Sequence, residues 1–404
     1  MKKVTVGIVG CGFAADLHVR ALRMVKGIEV EIIGVASRTN KSSENFARRF
    51  GIKKHYTDYR YLLEDKNIDV IDVCTPNYLH KRICVESAQA GKHIICEKPL
   101  TGYFGEDISE EVEFVGTTVS KLKMYKEAMR SADAILQAVK ENDVKLAYAE
   151  DFVYAPAVEK AKRLIMASRG VILHMRAEES HSGSHAPYSR IWRLSGGGAL
   201  LRLGSHPLGV VIHLKNFEGT IKRKRPIKIK SVMAQTANLT HLPSFKKEKR
   251  KWVVSDWKDV EDWATAILTF EDGTKATIFS NDITLGGVVN VVEIYLSNSV
   301  IKCNLSQNDT CKAYAPSPEV FGEEYITEKI ETKAGWSFPS PDEDWMRGYP
   351  QEMQDFIESV YYDRNPISDG ELGRQVVQAV YAAYVSAEEG REIRIENIEE
   401  EYQK

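Results

Sequence analysis

The first part of the chain, to about residue 100, alternates short apolar runs with amphipathic stretches. The runs are rich in Val and Ile with little polar alternation, which is typical of parallel strands buried on both faces. They cover Val4–Val9, Val30–Ala36, Val70–Cys74 and His93–Cys96. Helical spacing separates them at Ala14–Met24, Ser42–Phe50, Tyr59–Glu64 and His80–Ala90. Strands and helices in this order predict an α/β fold with a doubly wound, nucleotide-binding parallel sheet.

The alternation of predicted strands and helices stops over residues 102–121, which are rich in Gly, acidic residues and Ser/Thr. We interpret this stretch as an inserted surface loop or hairpin. A helix pattern resumes at Lys123–Lys140, and a short apolar strand follows at Leu146–Ala149. We therefore divide the chain into a dinucleotide-binding domain, residues 1–145, and a second domain, residues 146–404, which binds substrate and forms oligomers.

Period-two alternation is typical of the second domain. Trp263–Phe270 and Lys275–Asn281 flank the turn Glu271–Gly273, which indicates a β-hairpin. Further strands are predicted at Ile227–Ala237 and Val289–Val300, and further helices at Ala157–Met166, Tyr349–Val360 and Glu371–Glu389. Consecutive hairpins predict an α/β domain with a large, mostly antiparallel sheet. The open face of such a sheet commonly pairs with another copy, so we expect a homodimer or homotetramer.

The composition narrows the class of protein. The 404 residues include 55 basic and 57 acidic side chains, a net charge of −2, so the chain lacks the basic excess of a nucleic-acid or membrane-surface binder. We interpret the two local basic clusters, Lys222–Lys230 and Lys246–Lys251, as a solvated strand edge and a loop rather than as a nucleic-acid site. The sequence contains no run of about 18 apolar residues, so no membrane span is predicted. The N-terminus lacks a signal-peptide pattern. Six cysteines without a Cys-x-x-Cys pair favour a reduced, cytoplasmic protein.

A glycine turn, Gly10–Ala15 (GCGFAA), directly follows the first predicted strand and opens the first helix. Gly10 permits the tight turn, and Gly12 lets the backbone approach a pyrophosphate. The diphosphate would lie against free N–H groups at the positive end of the helix, near Phe13 and Ala14. A strand before the turn and a helix after it are the context that a dinucleotide site requires.

The second predicted strand ends in Ser37 and Arg38, where an NAD-preferring site usually has Asp or Glu for the ribose hydroxyls. A guanidinium can stack on adenine and pair with a phosphate. The sequence therefore favours NADP as cofactor, with NAD as the alternative.

Later motifs occur in a recognisable order. Thr75–His80 (TPNYLH) follows one predicted strand, and Glu97–Leu100 (EKPL) follows the next. With FVYAPA at 152–157, GGGALLRLGSH at 196–206 and NPISDG at 365–370, the sequence resembles the Gfo/Idh/MocA oxidoreductase family over essentially its whole length. The resemblance implies a Rossmann domain followed by an α/β domain with a large antiparallel sheet. It also implies hydride transfer between NAD(P) and a hydroxyl carbon of a sugar, polyol or glycoside.

The resemblance further implies roles for single residues. Lys98 would lie near the nicotinamide and the reacting oxygen, and His206 would accept the hydroxyl proton. The residues that match positions around the nicotinamide half of the cofactor are Thr75, Pro76, Asn77, His80, Glu97 and Lys98. The side-chain chemistry agrees, because an imidazole with a pKa near 6.5 can take a proton at neutral pH. An ammonium group can stabilise negative charge that develops on the oxygen.

The sequence departs from the family pattern at two positions near His206. Arg202 stands four residues before the histidine and Gly209 three residues after it, where family members often carry Asp. Arg202 is a candidate ligand for a carboxylate or phosphate on the substrate. Alternatively, it turns away and forms a structural salt bridge, and a different group supplies the polar contact.

The polar segment Glu178–His185 precedes the glycine block and could fold over the substrate. Candidate substrate ligands are Glu179, His181 and His185, together with Tyr154. Histidines are also metal ligands, but we expect no metal site from His181, His185 and His206.

Three functions are compatible with these residues. The first is an NAD(P)-dependent dehydrogenase or reductase that acts on CH–OH groups of a small carbohydrate or polyol, with neither nucleic acid nor membrane as a partner. The second is a glycosidase that uses bound NAD for transient oxidation and elimination. The third, disfavoured by intact Lys98 and His206, is a non-catalytic ligand sensor.

Overall fold

The computed structural model describes residues 3–306 and 311–398; residues 1–2, 307–310 and 399–404 of the predicted domains lie outside the described residues. The strands are β1 Lys3–Val9, β2 Glu29–Ala36, β3 Lys54–Tyr56, β4 Val70–Val73, β5 His93–Glu97, β6 Leu146–Ala149, β7 Ile172–Ser180, β8 Ile229–Ala237, β9 Trp263–Phe270, β10 Lys275–Asn281, β11 Val289–Leu296, β12 Val300–Asn304, β13 Ala313–Ala315, β14 Gly335–Ser337 and β15 Ile393–Arg394. The helices are α1 Phe13–Leu22, α2 Asn40–Phe50, α3 Arg60–Glu64, α4 His80–Gln89, α5 Val115–Thr118, α6 Lys121–Glu141, α7 Pro156–Ser168, α8 Trp192–Ser195, α9 Ala199–Arg202, α10 Ser205–Arg223, α11 Pro243–Lys246, α12 Glu343–Arg347, α13 Tyr349–Tyr361 and α14 Gly370–Glu389.

The first sheet has six parallel strands in the order β3-β2-β1-β4-β5-β6. Its central strands are buried, and β4 is buried at every position, so the near-continuous apolar runs have the expected cause. The predicted doubly wound α/β architecture is confirmed. The strand order reverses between β1 and β4, and ligands of such sheets bind beyond the carboxyl ends of the strands at this point. Because β6 pairs with β5, the first sheet continues slightly past residue 145, the boundary predicted from the sequence.

The second sheet has seven strands in the order β12-β11-β7-β10-β9-β8-β15. All neighbours are antiparallel except β7 and β10, which confirms the mostly antiparallel sheet. The predicted hairpin joins β9 and β10, and Gly273 takes a φ of +85° in its turn, a conformation that favours glycine. The segment predicted as one strand, Val289–Val300, is two strands, β11 and β12, because the polar pair Ser297 and Asn298 reverses the chain.

One face of the second sheet is covered by helices, and the other is open. α10 packs against β7 and α14 against β8. The opposite face exposes apolar side chains, among them Leu173, Met233 and Ile267. α14 also packs on α6 and β6, so this helix joins the two sheets, while α13 packs on α1. None of the helices in the described part of the chain is long and apolar enough to cross a membrane.

Residues 102–120 are mostly irregular, with α5 as their one regular element. The Arg193 guanidinium donates to the backbone oxygens of Gly105 at 2.9 Å and Val112 at 3.2 Å. The Asp259 carboxylate accepts from the backbone N–H of Gly116 at 2.8 Å. These contacts fasten the segment to the second domain.

Candidate active site

The predicted cofactor and catalytic residues stand at neighbouring strand ends of the first sheet. Carboxyl ends of adjacent parallel strands lie about 4.8 Å apart. Along this edge, Ser37 and Arg38 follow β2, Gly10 follows β1, Thr75 follows β4, Glu97 ends β5 and Lys98 follows it. The fold therefore brings these residues into one line, as a cofactor extended across the sheet edge requires.

The glycine turn has the shape of a diphosphate cradle. Gly10 has a φ of +117°, and a Cβ there would lie 2.1 Å from the backbone oxygen of Cys74. A Cβ at Gly12 would meet no atom within 4 Å, so the space above this residue is open. Gly12 precedes α1 and no side chain caps the helix, which leaves the N–H groups near Phe13 and Ala14 free for an anion. The residues present thus fit a dinucleotide.

Gly12→Ala is expected to weaken NADH binding at least roughly tenfold, about 1.4 kcal/mol, because the added methyl group fills the space for the diphosphate. Its thermal unfolding temperature is expected to stay near that of the wild type, since the methyl group touches nothing in the protein. Gly10→Ala, the companion variant, is expected to lose both affinity and stability. Fluorescence titration with NADH and thermal unfolding measure the two quantities, and tight NADH binding by Gly12→Ala would contradict the cradle.

The end of β2 presents a free guanidinium. Arg38 is exposed and has no ion-pair partner among residues 3–306 and 311–398. The Ser37 hydroxyl donates to the backbone oxygen of Thr39 at 3.2 Å, and the Thr39 side chain caps α2 by accepting from the N–H of Ser42. Residues 37–41, which follow β2, contain no carboxylate, so no acidic neighbour in this segment competes with a ligand for Arg38.

Two predicted cofactor residues hold loops together. The His80 imidazole lies between the backbone oxygens of Thr75 and Pro99, 2.9 Å from each. Burial lowers the pKa of His80, so the ring is neutral and donates to one oxygen at a time. The Asn77 amide donates to the backbone oxygen of Ser195 at 2.8 Å. This bond ties the loop after β4 to the glycine block.

Glu97 contacts a buried hydrogen-bonded chain of His18 and Asp72, which the sequence analysis missed. Its carboxylate accepts from the N–H of Lys98 at 2.9 Å and lies 3.0 Å from His18 Nε2. His18 Nδ1 in turn lies 2.9 Å from Asp72. Burial alone would lower the pKa of His18, but Asp72 raises it well above its usual range. His18 is therefore an imidazolium between two carboxylates, and the only signal for it is a histidine on the buried face of α1.

His206 lies at the start of α10 within a group of carboxylates. Its Nδ1 is 2.7 Å from Glu150 Oε1 and 3.0 Å from Asp151 Oδ1. Its Nε2 is 3.5 Å from Glu179 Oε2. The Phe152 ring stacks on the imidazole with centroids 4.8 Å apart. The structure thus joins the predicted residues His206 and Glu179 and orients the ring from three sides.

These carboxylates set the charge of the imidazole. Burial alone would lower the pKa of His206, but Glu150 and Glu179 raise it to about 10, while Lys98 acts in the opposite direction. Burial raises the pKa of Glu150. Burial would also raise the pKa of Asp151, but His206 and other nearby cations hold it below its ordinary value. In the free protein at neutral pH, His206 is an imidazolium with a proton on each nitrogen.

Glu150 places a carboxylate beside His206. A Cβ at Gly209 would lie 2.7 Å from Glu150 Cγ, so glycine leaves the room that the glutamate side chain fills. Glu150 and Asp151 directly follow β6, at the sheet edge that carries Lys98. Two acids immediately after a buried strand were the sequence signal for them.

Lys98 contacts Arg202 by a hydrogen bond to the Arg202 backbone. The half-buried Lys98 ammonium donates to the Arg202 backbone oxygen at 2.8 Å. The Arg202 side chain is buried, forms an ion pair with Asp282 and lies over the Trp257 ring, 4.8 Å from its centroid. Of the two alternatives for Arg202, this geometry has the features of the structural salt bridge, and a role as substrate ligand stays a prediction.

The two histidines of the polar segment differ in their surroundings. His181 is buried, accepts from the N–H of Gly183 at 2.9 Å and lies 3.7 Å from Asp282. Burial and the nearby Lys329 and Arg202 hold the pKa of His181 well below its usual range. His185 is exposed, so the structure does not bring it into the His206 group.

Tyr154 also lies outside this group. Its hydroxyl donates to Asp355 at 2.7 Å and accepts from the N–H of Ser368 at 2.8 Å. The side chain is buried. Both bonding directions of the hydroxyl are therefore used within the protein, and substrate binding by Tyr154 stays a prediction.

Two groups within the described residues have metal-ligand atoms within 4.8 Å of one another. They are His18, Asp72 and Cys74, and Glu150, Asp151 and His206. In each group the imidazole is within hydrogen-bonding distance of a carboxylate. His181 and His185 belong to neither group.

Comparisons with known proteins identify the family of the chain. The GFO/IDH/MocA oxidoreductase family with an NAD-binding Rossmann fold matches residues 4–125, and the C-terminal domain of the same family matches residues 158–302. Levoglucosan dehydrogenase of Pseudarthrobacter phenanthrenivorans is 30% identical over 227 residues, 53% of this chain and 52% of that protein. That alignment spans about half the length of the relative.

Two further relatives extend over nearly the whole chain. Myo-inositol 2-dehydrogenase of Thermotoga maritima is 21% identical over 97% of this chain and 99% of its own length. The crystal structure of GenD2 from gentamicin A biosynthesis, in complex with NAD, superposes with a TM-score of 0.79 at 24% identity. It covers 98% of this chain and 97% of that one.

Proposed function

Because the chain belongs to the Gfo/Idh/MocA oxidoreductase family, we propose that it transfers a hydride between a nicotinamide dinucleotide and a hydroxyl-bearing carbon of a sugar or polyol. The observation that carries this proposal is the environment of His206, whose Nδ1 is fixed by Glu150 while its Nε2 faces the inner side of the second sheet. Relatives named levoglucosan dehydrogenase and myo-inositol 2-dehydrogenase support the substrate class.

The chain's own residues perform the proton part of the reaction. With Nδ1–H held by Glu150, a neutral His206 presents the Nε2 lone pair, which accepts the proton of the substrate hydroxyl. The Lys98 ammonium stabilises the charge that develops on the oxygen. The bound dinucleotide supplies the hydride acceptor. In the reverse direction, His206 in its imidazolium form donates its Nε2 proton to the carbonyl oxygen.

The experiment for this proposal mixes the protein with NAD or NADP and a panel of neutral sugars and inositols, and follows the absorbance of the reduced nicotinamide. Net accumulation of the reduced form is expected with at least one substrate. Hydrolysis of a glycoside with no net absorbance change would instead identify the elimination mechanism, in which the hydride returns to the sugar.

We also propose that NADP binds at least as well as NAD, because the exposed Arg38 guanidinium can pair with the additional phosphate. Arg38→Ala is expected to weaken NADP binding roughly tenfold, about 1.4 kcal/mol, and to leave NAD binding nearly unchanged. Titration of both dinucleotides measures this difference, with Lys41→Ala as the matched removal of a nearby positive charge. Equal losses for NAD and NADP in Arg38→Ala would contradict the proposed phosphate contact.

We propose that the open face of the second sheet pairs with a second copy of the chain, as a homodimer or homotetramer. The exposed Leu173, Met233 and Ile267 support this arrangement, because large apolar side chains on an uncovered sheet face favour association. We further propose a cytoplasmic location, since all six cysteines are free thiols and a reducing compartment maintains them.

A further inference from the structure

A cavity of about 420 Å³ lies beyond one end of the second sheet, where β8 and β10 end and β9 begins. Sites for small molecules typically have volumes of about 300–1,000 Å³. Six apolar side chains line this cavity: Leu239, Phe245, Trp252, Val253, Ile283 and Leu285. None of them belongs to the cofactor residues or to the group around His206, so the cavity is a separate feature of the molecule.

The walls of the cavity are fixed by hydrogen bonds to residues at the end of the sheet. The backbone N–H groups of Leu239 and Thr240 donate to the Asp262 carboxylate at 2.7 and 2.9 Å. On the other side, the N–H of Ile283 donates to the Asn281 side chain at 2.9 Å. A ligand therefore enters a preformed cavity and does not have to order these two segments, a cost that would weaken binding.

Two aromatic rings of the cavity each have a cation beside them. The Arg250 guanidinium lies 3.5 Å from the centroid of the Trp252 ring, and the Lys251 ammonium lies 5.7 Å from that of Phe245. Trp252 is 54% exposed, so much of this side chain is uncovered. A ligand ring that packs on Trp252 would bury apolar area and gain the favourable geometry of an aromatic pair.

The rim of the cavity is strongly basic. Residues 246–251 comprise five cations and one carboxylate, Glu248, and all six side chains are exposed. None of the five cations forms an ion pair within the described part of the chain. Glu248 and Arg250 both line the cavity, and the other cations leave a positive excess around it. This charge complements an anion, and a guanidinium can hold a carboxylate through two parallel hydrogen bonds.

Two other occupants fit the cavity less well. A symmetric contact of two chains through this surface would place the five cations of one protomer against the same five of its partner, which is unfavourable. A nucleic acid complements the charge of the rim, but the whole chain has a net charge of −2 and the volume of the cavity suits a small molecule.

We propose that this cavity binds a small aromatic carboxylate, with its ring against Trp252 and its carboxylate on Arg250. The inference goes beyond the proposed function and does not rest on it, because none of the residues in the proposed hydride transfer lines the cavity.

Calorimetric titration with 2-naphthoate in the presence of excess NADH, which fills the dinucleotide site, tests the proposal. 2-Naphthoate is expected to bind at least roughly tenfold more tightly than the neutral 2-naphthalenemethanol. Arg250→Gln is expected to remove most of this difference. Trp252→Leu, which keeps an apolar side chain but removes the ring, is expected to weaken the binding of both compounds at least roughly tenfold.

Trp336→Leu is the matched control, because Trp336 on β14 is also exposed and does not line the cavity. It is expected to bind both compounds like the wild type. All three variants change exposed side chains, so their unfolding temperatures are expected to stay near that of the wild type. Thermal unfolding measures this quantity and separates lost binding from lost structure.

Several results would overturn the proposal. They are equal affinities of the wild type for the two compounds, no binding of either compound, and unchanged binding by Arg250→Gln and Trp252→Leu. A smaller assembly of these two variants in sedimentation would assign the surface to contacts between copies of the chain. Binding of a single-stranded oligonucleotide that both variants lose would assign it to nucleic acid.

Discussion

Replacing His206 with glutamine is expected to lower kcat for polyol oxidation by about 10²–10⁴. Glutamine keeps a polar side chain that can bond Glu150, but it cannot accept the hydroxyl proton. The loss is expected in kcat more than in the affinity for NADH, because His206 stands beyond the glycine cradle that binds the dinucleotide. Initial rates of NADH formation at saturating substrate, with NADH titration alongside, measure both quantities.

The matched control is His213→Gln, the same substitution two turns later on α10, where activity near the wild type is expected. The pH profile provides the second readout. Oxidation needs neutral His206, and the surrounding carboxylates raise its pKa to about 10 against the effect of burial. Oxidation by the wild type should therefore rise with pH through the neutral and alkaline range, and reduction should stay level until the pH approaches about 10 and then fall. A His206→Gln variant with near-wild-type kcat and an unchanged pH profile would exclude His206 as the proton acceptor.

Lys98→Met is expected to lower kcat by about 10²–10³. Methionine retains most of the length of the side chain but removes the charge that stabilises the developing alkoxide. It also removes the bond to the Arg202 backbone oxygen, so part of the loss reflects the position of the loop before His206. Steady-state rates in both reaction directions measure the effect, since an oxyanion-stabilising group acts on the common transition state and slows both equally.

Lys81→Met is the control, a lysine on α4 that is absent from the candidate site. It is expected to react like the wild type. Loss of oxidation without loss of reduction in Lys98→Met, or the same loss in Lys81→Met, would contradict the role of Lys98.

The sequence was sufficient for the architecture because the strands of the first sheet are buried on both faces and carry continuous apolar runs. It was less informative for the second sheet. β7 was not predicted, because its outward Leu173 and its inward Glu179 break the period-two alternation. Its position in the interior of that sheet depends on pairing with β10 and β11, strands distant in sequence.

The residues of the candidate site also differ in how well the sequence predicts them. Lys98 and His206 were identified because each belongs to a motif of consecutive residues. His18 and Asp72 belong to no motif, and their importance arises only when the fold places them beside Glu97. Arg202 illustrates the limit most clearly, since a single sequence position could not decide between a substrate ligand and an ion pair with Asp282.

The most direct test of the account follows deuterium from a substrate carbon. A polyol or sugar that is turned over is labelled with deuterium at the carbon that bears the reacting hydroxyl. The dinucleotide is recovered after one turnover, and its mass is measured by mass spectrometry. The account predicts that the reduced nicotinamide carries the deuterium. Reduced nicotinamide without the label, or loss of the label to water while the dinucleotide stays oxidised, would contradict hydride transfer at this site.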